Sequence, residues 1–257
     1  MALDRDTTFT WYGHSVFEVR TPGGKTIIFD PFFANPKSPA TADSIQRCDV
    51  LLVSHGHFDH MGDAVALASR LRPAWPCMHE MSLWLGRRLP GGQDAAVGMN
   101  KGGTFETDGI RVTMTTAHHS AGDWNPGGET TLYLGDPNGF VVEVENGFRF
   151  YFAGDTDVFD EMAALAPVDV ALLPIWGWGP SMGPGHMDPI RAAQAASLLG
   201  ARLAIPIHWG TYYPIHLGVR GRPAFLDTPP ELFREALLEY SPATELRVLR
   251  PGEATQV

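Results

Sequence analysis

The clearest alternation of apolar and polar positions lies near the start of the chain. "FTWYGHSVFEVRT" and "KTIIFD", joined by the turn residues "PGG", read as the two strands of a hairpin. "VLLVS", residues 50–54, is a short apolar run that predicts a buried strand. From Asp63, "DAVALASRLR" carries apolar residues at helical spacing and stops before Pro73, which predicts a helix. "GGTFETDGIRVTMTTAHH" and "TLYLGDPNGFVVEVENGFRFYFAGD" alternate again between the turn signals "TDG", "PNG" and "ENG". After Asp155 the period changes: helix "VFDEMAALA", strand "VDVALLPI", helix "DPIRAAQAASLLG", strand "RLAIPIHW", helix "PPELFREALLEY" and strand "ELRVLR". Strands and helices at these spacings predict two mixed sheets packed together with helices on their outer faces, an α/β architecture.

Composition narrows this picture. A chain of 257 residues, 44% hydrophobic and 19% charged, can bury a sizeable core, and without repeats or linkers a single domain over 1–257 is the expectation. No uninterrupted apolar run reaches the roughly 18 residues that a membrane span needs. "MALDRDTTFTWYG" carries acids and lacks the apolar core of a secretory signal, so the expected location is cytoplasmic. A net charge of −10 offers no basic stripe for phosphate backbones, so a small-molecule substrate, and not nucleic acid, is the expected partner. Cys48 and Cys77 have no CxxC pairing and read as buried reduced thiols. The oligomeric state stays open, a homo-oligomer included.

"SHGHFDHMGD", residues 54–63, holds the chemistry. Residues two apart at a strand end project to the same side, so His55 and His57 can hold one ion together. Asp59 and His60, after the chain turns, point elsewhere and suit a second ion. Imidazole nitrogen and carboxylate oxygen both bind zinc at about 2.0 to 2.2 Å. Two ions need more ligands, and three further predicted strands end in them: His118 or His119 in "TTAHHS", Asp155 in "FAGDT" and His208 in "PIHW". Periodicity cannot choose between His118 and His119. A carboxylate such as Asp155 has two oxygens and can bridge both ions.

HxHxDH at His55, His57, Asp59 and His60, followed in order by "HHS", "AGDT" and "PIHW", resembles the metallo-β-lactamase superfamily of metal-dependent hydrolases from about Thr8 to the last strand. The resemblance implies a four-layer αββα sandwich with a dinuclear centre. Its first ion would sit on His55, His57 and His119, its second on Asp59, His60 and His208, with Asp155 between them. "YGHSVFEV", "FDPFF" and "LLPIWGWGPSMGP" look most like the L-ascorbate-6-phosphate lactonase subgroup, while "GHMDPIRAAQA" and "IHWGTYYP" are similar to the N-acylphosphatidylethanolamine phospholipase D branch.

Other residues take roles from their settings. The "GHS" around His14 resembles the place where that subgroup keeps a histidine near the metals. Asp30, ending "IIFD", can orient a ligand histidine as a hydrogen-bond acceptor. Trp176 and Trp178, in the Gly- and Pro-broken "PIWGWGP", can line a substrate pocket, and Asp123, Trp124 and "NPGGE" can shape its mouth. His186 precedes a helix that Asp188 can cap and Pro189 can start, and it is equally readable as a loop residue or a substrate-contacting acid. Arg191, Arg202, Arg220 and Arg222 are the nearest basic residues for an anionic substrate.

The expected mechanism is attack by hydroxide, formed from water between two zinc or manganese ions, on an ester, lactone or phosphoester, with Asp59 orienting the nucleophile and His186 donating a proton. The competing readings are a phosphodiesterase for a lipid-like substrate, a di-iron redox protein and a non-catalytic metal-binding protein. His57 counts against the di-iron reading, because the diiron flavoprotein relatives resemble HxExDH at this motif.

Overall fold

The computed structural model describes residues 6–122, 132–176, 185–212 and 224–257. In chain order the elements are β1 (Thr8–Trp11), β2 (Phe17–Arg20), β3 (Thr26–Phe29), β4 (Val50–Leu52), α1 (Phe58–Met61), α2 (Ala64–Leu71), β5 (Pro76–Met78), α3 (His79–Leu85), β6 (Val97–Met99), β7 (Thr104–Thr107) and β8 (Ile110–Thr116). They continue with β9 (Asn138–Glu143), β10 (Arg149–Phe152), β11 (Val170–Pro174), α4 (Pro189–Leu198), β12 (Leu203–Ile207), α5 (Pro229–Tyr240), β13 (Glu245–Leu246) and β14 (Ala254–Gln256).

Two mixed sheets form the body, as the alternation and the α/β pattern predict: β14-β1-β2-β3-β4 and β13-β12-β11-β10-β9-β8-β7. Aromatic side chains join them face to face. Phe9 meets Phe148 and Phe150, and Phe29 meets Phe140, Phe150 and Phe152, with ring centroids 4.6 to 6.5 Å apart. Strands covered on both faces are apolar throughout: every residue of β3, β4, β11 and β12 is buried. Helix α4 packs on β11 and α5 on α4, and α2 buries Ala64, Leu67 and Ala68. Among the described residues no helix is long and apolar enough to cross a membrane.

Strand direction gathers the chemistry. β1 and β3 both run antiparallel to β2, and β4 runs parallel to β3. In the second sheet β8 and β10 both run antiparallel to β9, and β11 and β12 continue parallel to β10. Within each sheet the site-bearing strands therefore share one direction, and their C-terminal ends meet at one edge of the sandwich.

Several elements differ from the pattern. "FTWYGHSVFEVRT" is two strands, broken where Gly13 (φ 89°) and His14 (φ 53°) turn the chain and Val16 N–H bonds the Gly13 carbonyl at 3.0 Å. "VFDEMAALA" is a 3₁₀ segment over Asp160–Leu165 that buries Met162 alone, too little apolar surface to hold an α-helix. Among its described residues "TLYLGDP" contributes a single bridge, Tyr133 to Gly122, and β9 begins at Asn138. "ELRVLR" pairs only through Glu245–Leu246. α3 with the two-stranded β5-β6 sheet and the edge strand β14 come from stretches to which the pattern assigns no element.

Gly154 couples the core to this edge. It has φ 60°, and a Cβ there would stand 2.5 Å from Ser54 Cβ, whereas one on Gly147 (φ 76°) would meet nothing within 4 Å. Gly147→Ala therefore carries only the left-handed backbone cost of about 1 kcal/mol. Gly154→Ala adds overpacking, for a loss of about 2 to 4 kcal/mol in urea unfolding. Equal losses in the two variants would contradict this reading.

Candidate metal centre

Each chemical side chain in the cluster sits just beyond a strand or at a helix entry. Asp30 follows β3, His55 follows β4, His119 follows β8, Asp155 follows β10 and His208 follows β12; His57 to His60 enter α1 and His186 precedes α4. Three of these positions are left-handed without glycine: His14 at φ 53°, Asp30 at 40° and His208 at 63°. Such residues cost of order 1–3 kcal/mol each and persist where surrounding bonds over-determine them. Here Asp30 N–H bonds the Leu52 carbonyl at 3.0 Å and His208 N–H bonds the His14 carbonyl at 2.9 Å.

Ring nitrogens gather in two groups. His55 Nε2 lies 2.8 Å from His57 Nδ1, which lies 3.3 Å from His119 Nε2. Beside them His14, Asp59, His60 and His208 bring one donor atom each within 4.8 Å of one another. Asp155 stands between: its Oδ2 is 3.2 Å from His60 Nε2, His208 Nε2 and His186 Nε2, and 3.8 Å from His119 Nε2. Asp30, Asp59 and Asp155 are at most 2% exposed, so three carboxylates lie inside the protein.

In His14, His55, His60, His119 and His208 the second ring nitrogen is engaged, and that fixes which nitrogen faces inward. His60 Nδ1–H donates to Asp30 at 2.6 Å, His119 Nδ1–H to the Gly185 carbonyl at 2.7 Å, and His208 Nδ1–H to the Trp176 carbonyl at 2.8 Å. His55 Nδ1 meets Ser54 Oγ at 2.9 Å, and Ser54 Oγ donates to Asp30 at 2.7 Å. His14, fully buried, joins Asp59 Oδ2 at 2.9 Å and Thr211 Oγ1 at 2.7 Å.

Electrostatics separate the groups. Burial, with neighbouring histidines, lowers His55 and His57 below the usual imidazole range, and burial lowers His119 to about 4 despite Asp155. Those three are neutral, with lone pairs free for a cation. Burial also opposes charge on His60 and His208, but the neighbouring carboxylates together outweigh it, Asp155 with Asp30 and Asp59 raising His60 well above its usual value and Asp155 with Asp59 raising His208 to about 9. Burial would raise Asp59 and Asp155, yet adjacent imidazoles hold both well below the usual carboxylate range. The donor set fits divalent ions: three converging neutral imidazoles, a second group of mixed nitrogen and oxygen, and a buried carboxylate whose Oδ1 has no hydrogen-bond partner among the described residues.

The match to a family model described as a β-lactamase superfamily domain covers residues 25–209. A UPF0173 metal-dependent hydrolase of Rubrobacter xylanophilus is 38% identical over 96% of this chain and 95% of its own length, and another of Herpetosiphon aurantiacus is 38% identical over 97% of each. The chain belongs to the UPF0173 metal-dependent hydrolase family of the metallo-β-lactamase superfamily. The solved structure of Igni18, a metallo hydrolase from the archaeon Ignicoccus hospitalis, superposes with TM-score 0.76 at 28% identity over 97% of each chain.

Within this superfamily member the structure gathers His14, Asp30, His55, His57, Asp59, His60, His119, Asp155, His186 and His208. His118 stays outside: β8 ends at Thr116, so the alternation does not reach the pair, and His118 is exposed and stacks on Phe159. Trp176 differs from the expected pocket wall. It is 7% exposed, its indole stacks on Phe225 and donates to the Tyr212 carbonyl, and it reaches the site through its own carbonyl. Arg191 and Arg202 pair with Asp157 and Asp169. Trp178, Asp123, Trp124, "NPGGE", Arg220 and Arg222 lie outside the described residues. Ser54 and Thr211 were missed; their only signal is adjacency, in "SH" before His55 and in "HWGT" after His208.

Asp30→Asn keeps the shape but weakens the acceptor of His60 and Ser54. Zinc affinity then falls about 10- to 100-fold. At saturating zinc this removes about 1.4 to 2.7 kcal/mol of metal-dependent stabilisation, read as a smaller zinc-induced rise in melting temperature. An unchanged zinc isotherm would show that Asp30 does not orient a ligand.

Proposed function

We propose that this chain, as a single domain over residues 1–257, is a dinuclear-metal hydrolase that cleaves an ester, lactone or phosphoester bond of a small molecule. His55, His57 and His119 would hold the first ion, Asp59, His60 and His208 the second, with Asp155 shared and zinc or manganese as the metal. The observation that supports this reading is the place of Asp155 Oδ2, 3.2 Å from His60 and His208 and 3.8 Å from His119. One carboxylate thus touches both donor groups, as a bridging ligand must. When bound, two such ions bring the pKa of water from 15.7 toward about 7, supplying hydroxide at neutral pH, and they neutralise charge on the reacting oxygens.

The protein's own groups orient and move protons. Burial lowers His14 to about 4, so it is neutral at pH 7 and has one ring proton. Asp59, as a carboxylate, can only accept, so His14 donates from Nε2 to Asp59 and accepts the Thr211 hydroxyl at Nδ1. That chain fixes the rotamer of Asp59, whose remaining oxygen can align the attacking water. His186 is half-buried, beside Asp155 and 4.4 Å ring to ring from His119. It is the group proposed to protonate the leaving oxygen. The likeness to the lactonase-like subgroup favours a lactone or another cyclic or activated ester as the substrate class.

The test is a panel of 4-nitrophenyl acetate, simple lactones and bis(4-nitrophenyl) phosphate, assayed with zinc or manganese. Turnover of at least one member is expected, lost on chelation and in His55→Ala together with bound metal. His186→Ala should lower kcat about 100-fold for an alkyl leaving group and far less for 4-nitrophenolate, which needs no proton. Full metal occupancy without turnover of any member, or wild-type turnover by His55→Ala, would overturn the proposal.

A further inference from the structure

Arg191 lies in the first turn of α4, where a cation opposes the helix dipole at a cost of about 0.3 to 1 kcal/mol. Its guanidinium bridges two segments through its two terminal nitrogens, while among the described residues Nε takes part only in an ion pair. Nη1 donates to Asp157 Oδ2 at 2.9 Å, Nη2 donates to the His186 carbonyl at 2.7 Å, and Nε lies 3.3 Å from Asp188 Oδ2. Asp157 is 9% exposed, and the same Oδ2 also accepts Gly185 N–H at 3.3 Å. Two residues further on, Met187 N–H bonds the Thr156 carbonyl at 3.0 Å. Residues 185–187 are thus stitched to the loop that carries Asp155, with Arg191 spanning the two.

Two groups of the site depend on that segment. The Gly185 carbonyl accepts His119 Nδ1–H at 2.7 Å, and the His186 ring places Nε2 3.2 Å from Asp155 Oδ2. We infer that the Asp157–Arg191 pair is a clamp that positions residues 185–187, so that Arg191 sets the placement of His186 and the orientation of His119. A forked guanidinium can bridge a carboxylate and a carbonyl at once; an ammonium is a point charge on a flexible stem and holds that geometry poorly.

The zinc arm of the test rests on the proposed role of His119 as a ligand; the arm that reads His186 does not. Diethyl pyrocarbonate modification of each histidine is followed by peptide mass spectrometry in wild type, Arg191→Met, Arg191→Lys and Asp157→Asn, as purified and zinc-loaded. Exposed His79, remote from the cluster, is the internal reference. Reactivity of His186 relative to His79 rises several-fold in Arg191→Met and Asp157→Asn and by less in Arg191→Lys. Zinc affinity falls about tenfold in Arg191→Met, as His119 loses its fixed acceptor. A folded Arg191→Met with an unchanged His186 to His79 ratio overturns the clamp, whatever its melting temperature. If Arg191→Met does not fold, Arg191→Lys and Asp157→Asn decide in the same way. Failure of wild type to bind zinc strikes at the metal proposal alone, because the His186 ratio still reads the clamp.

Discussion

The buried carboxylate of Asp155 is the constraint around which the rest is arranged. A charge held at 2% exposure must be paired, and Oδ2 takes its pairing from His60 and His208, each at 3.2 Å, while Oδ1 has no hydrogen-bond partner among the described residues. The surrounding carboxylates push His60 and His208 above the usual imidazole range. Divalent ions would take over that charge balance, displacing protons from the same nitrogens. The donor atoms of the cluster can hold a metal ion.

The fold holds such a cluster because its site-bearing strands within each sheet share one direction. Antiparallel β2 and β9 serve as returns, and the strand ends deliver Asp30 and His55 from one sheet and His119, Asp155 and His208 from the other. The inter-sheet phenylalanines hold these ends in register. Left-handed His14, Asp30 and His208 then turn side chains inward at positions where an extended backbone would send them past the site. The strain at those three positions is offset by the hydrogen bonds that also fix the imidazole orientations.

Much of this was legible in the sequence for a definite reason. Ligand types at strand ends are local signals, and alternation with turn residues finds strand ends, so the types of donor and the α/β layers could be read directly. The partners of the other ring nitrogens could not. The Gly185 and Trp176 carbonyls and the Ser54 hydroxyl act through geometry that no periodicity encodes. The break at Gly13–His14 was hidden because apolar alternation runs on through it, and only a left-handed pair of residues splits the strand and sends His14 to Asp59. The burial of Trp176 was hidden for the converse reason: glycine and proline around it signal a loop, and a loop can still bury its indole.

Family membership and fold explain how a bond is opened more fully than which bond, since sites of one architecture host many substrates. The account rests on two ions sharing Asp155. Anomalous diffraction from crystals loaded with zinc or manganese measures this directly. It should show two peaks, one among His55, His57 and His119 and one among Asp59, His60 and His208, with Asp155 between them. A single peak at saturating metal, or peaks that leave Asp155 without a metal contact, would contradict the account.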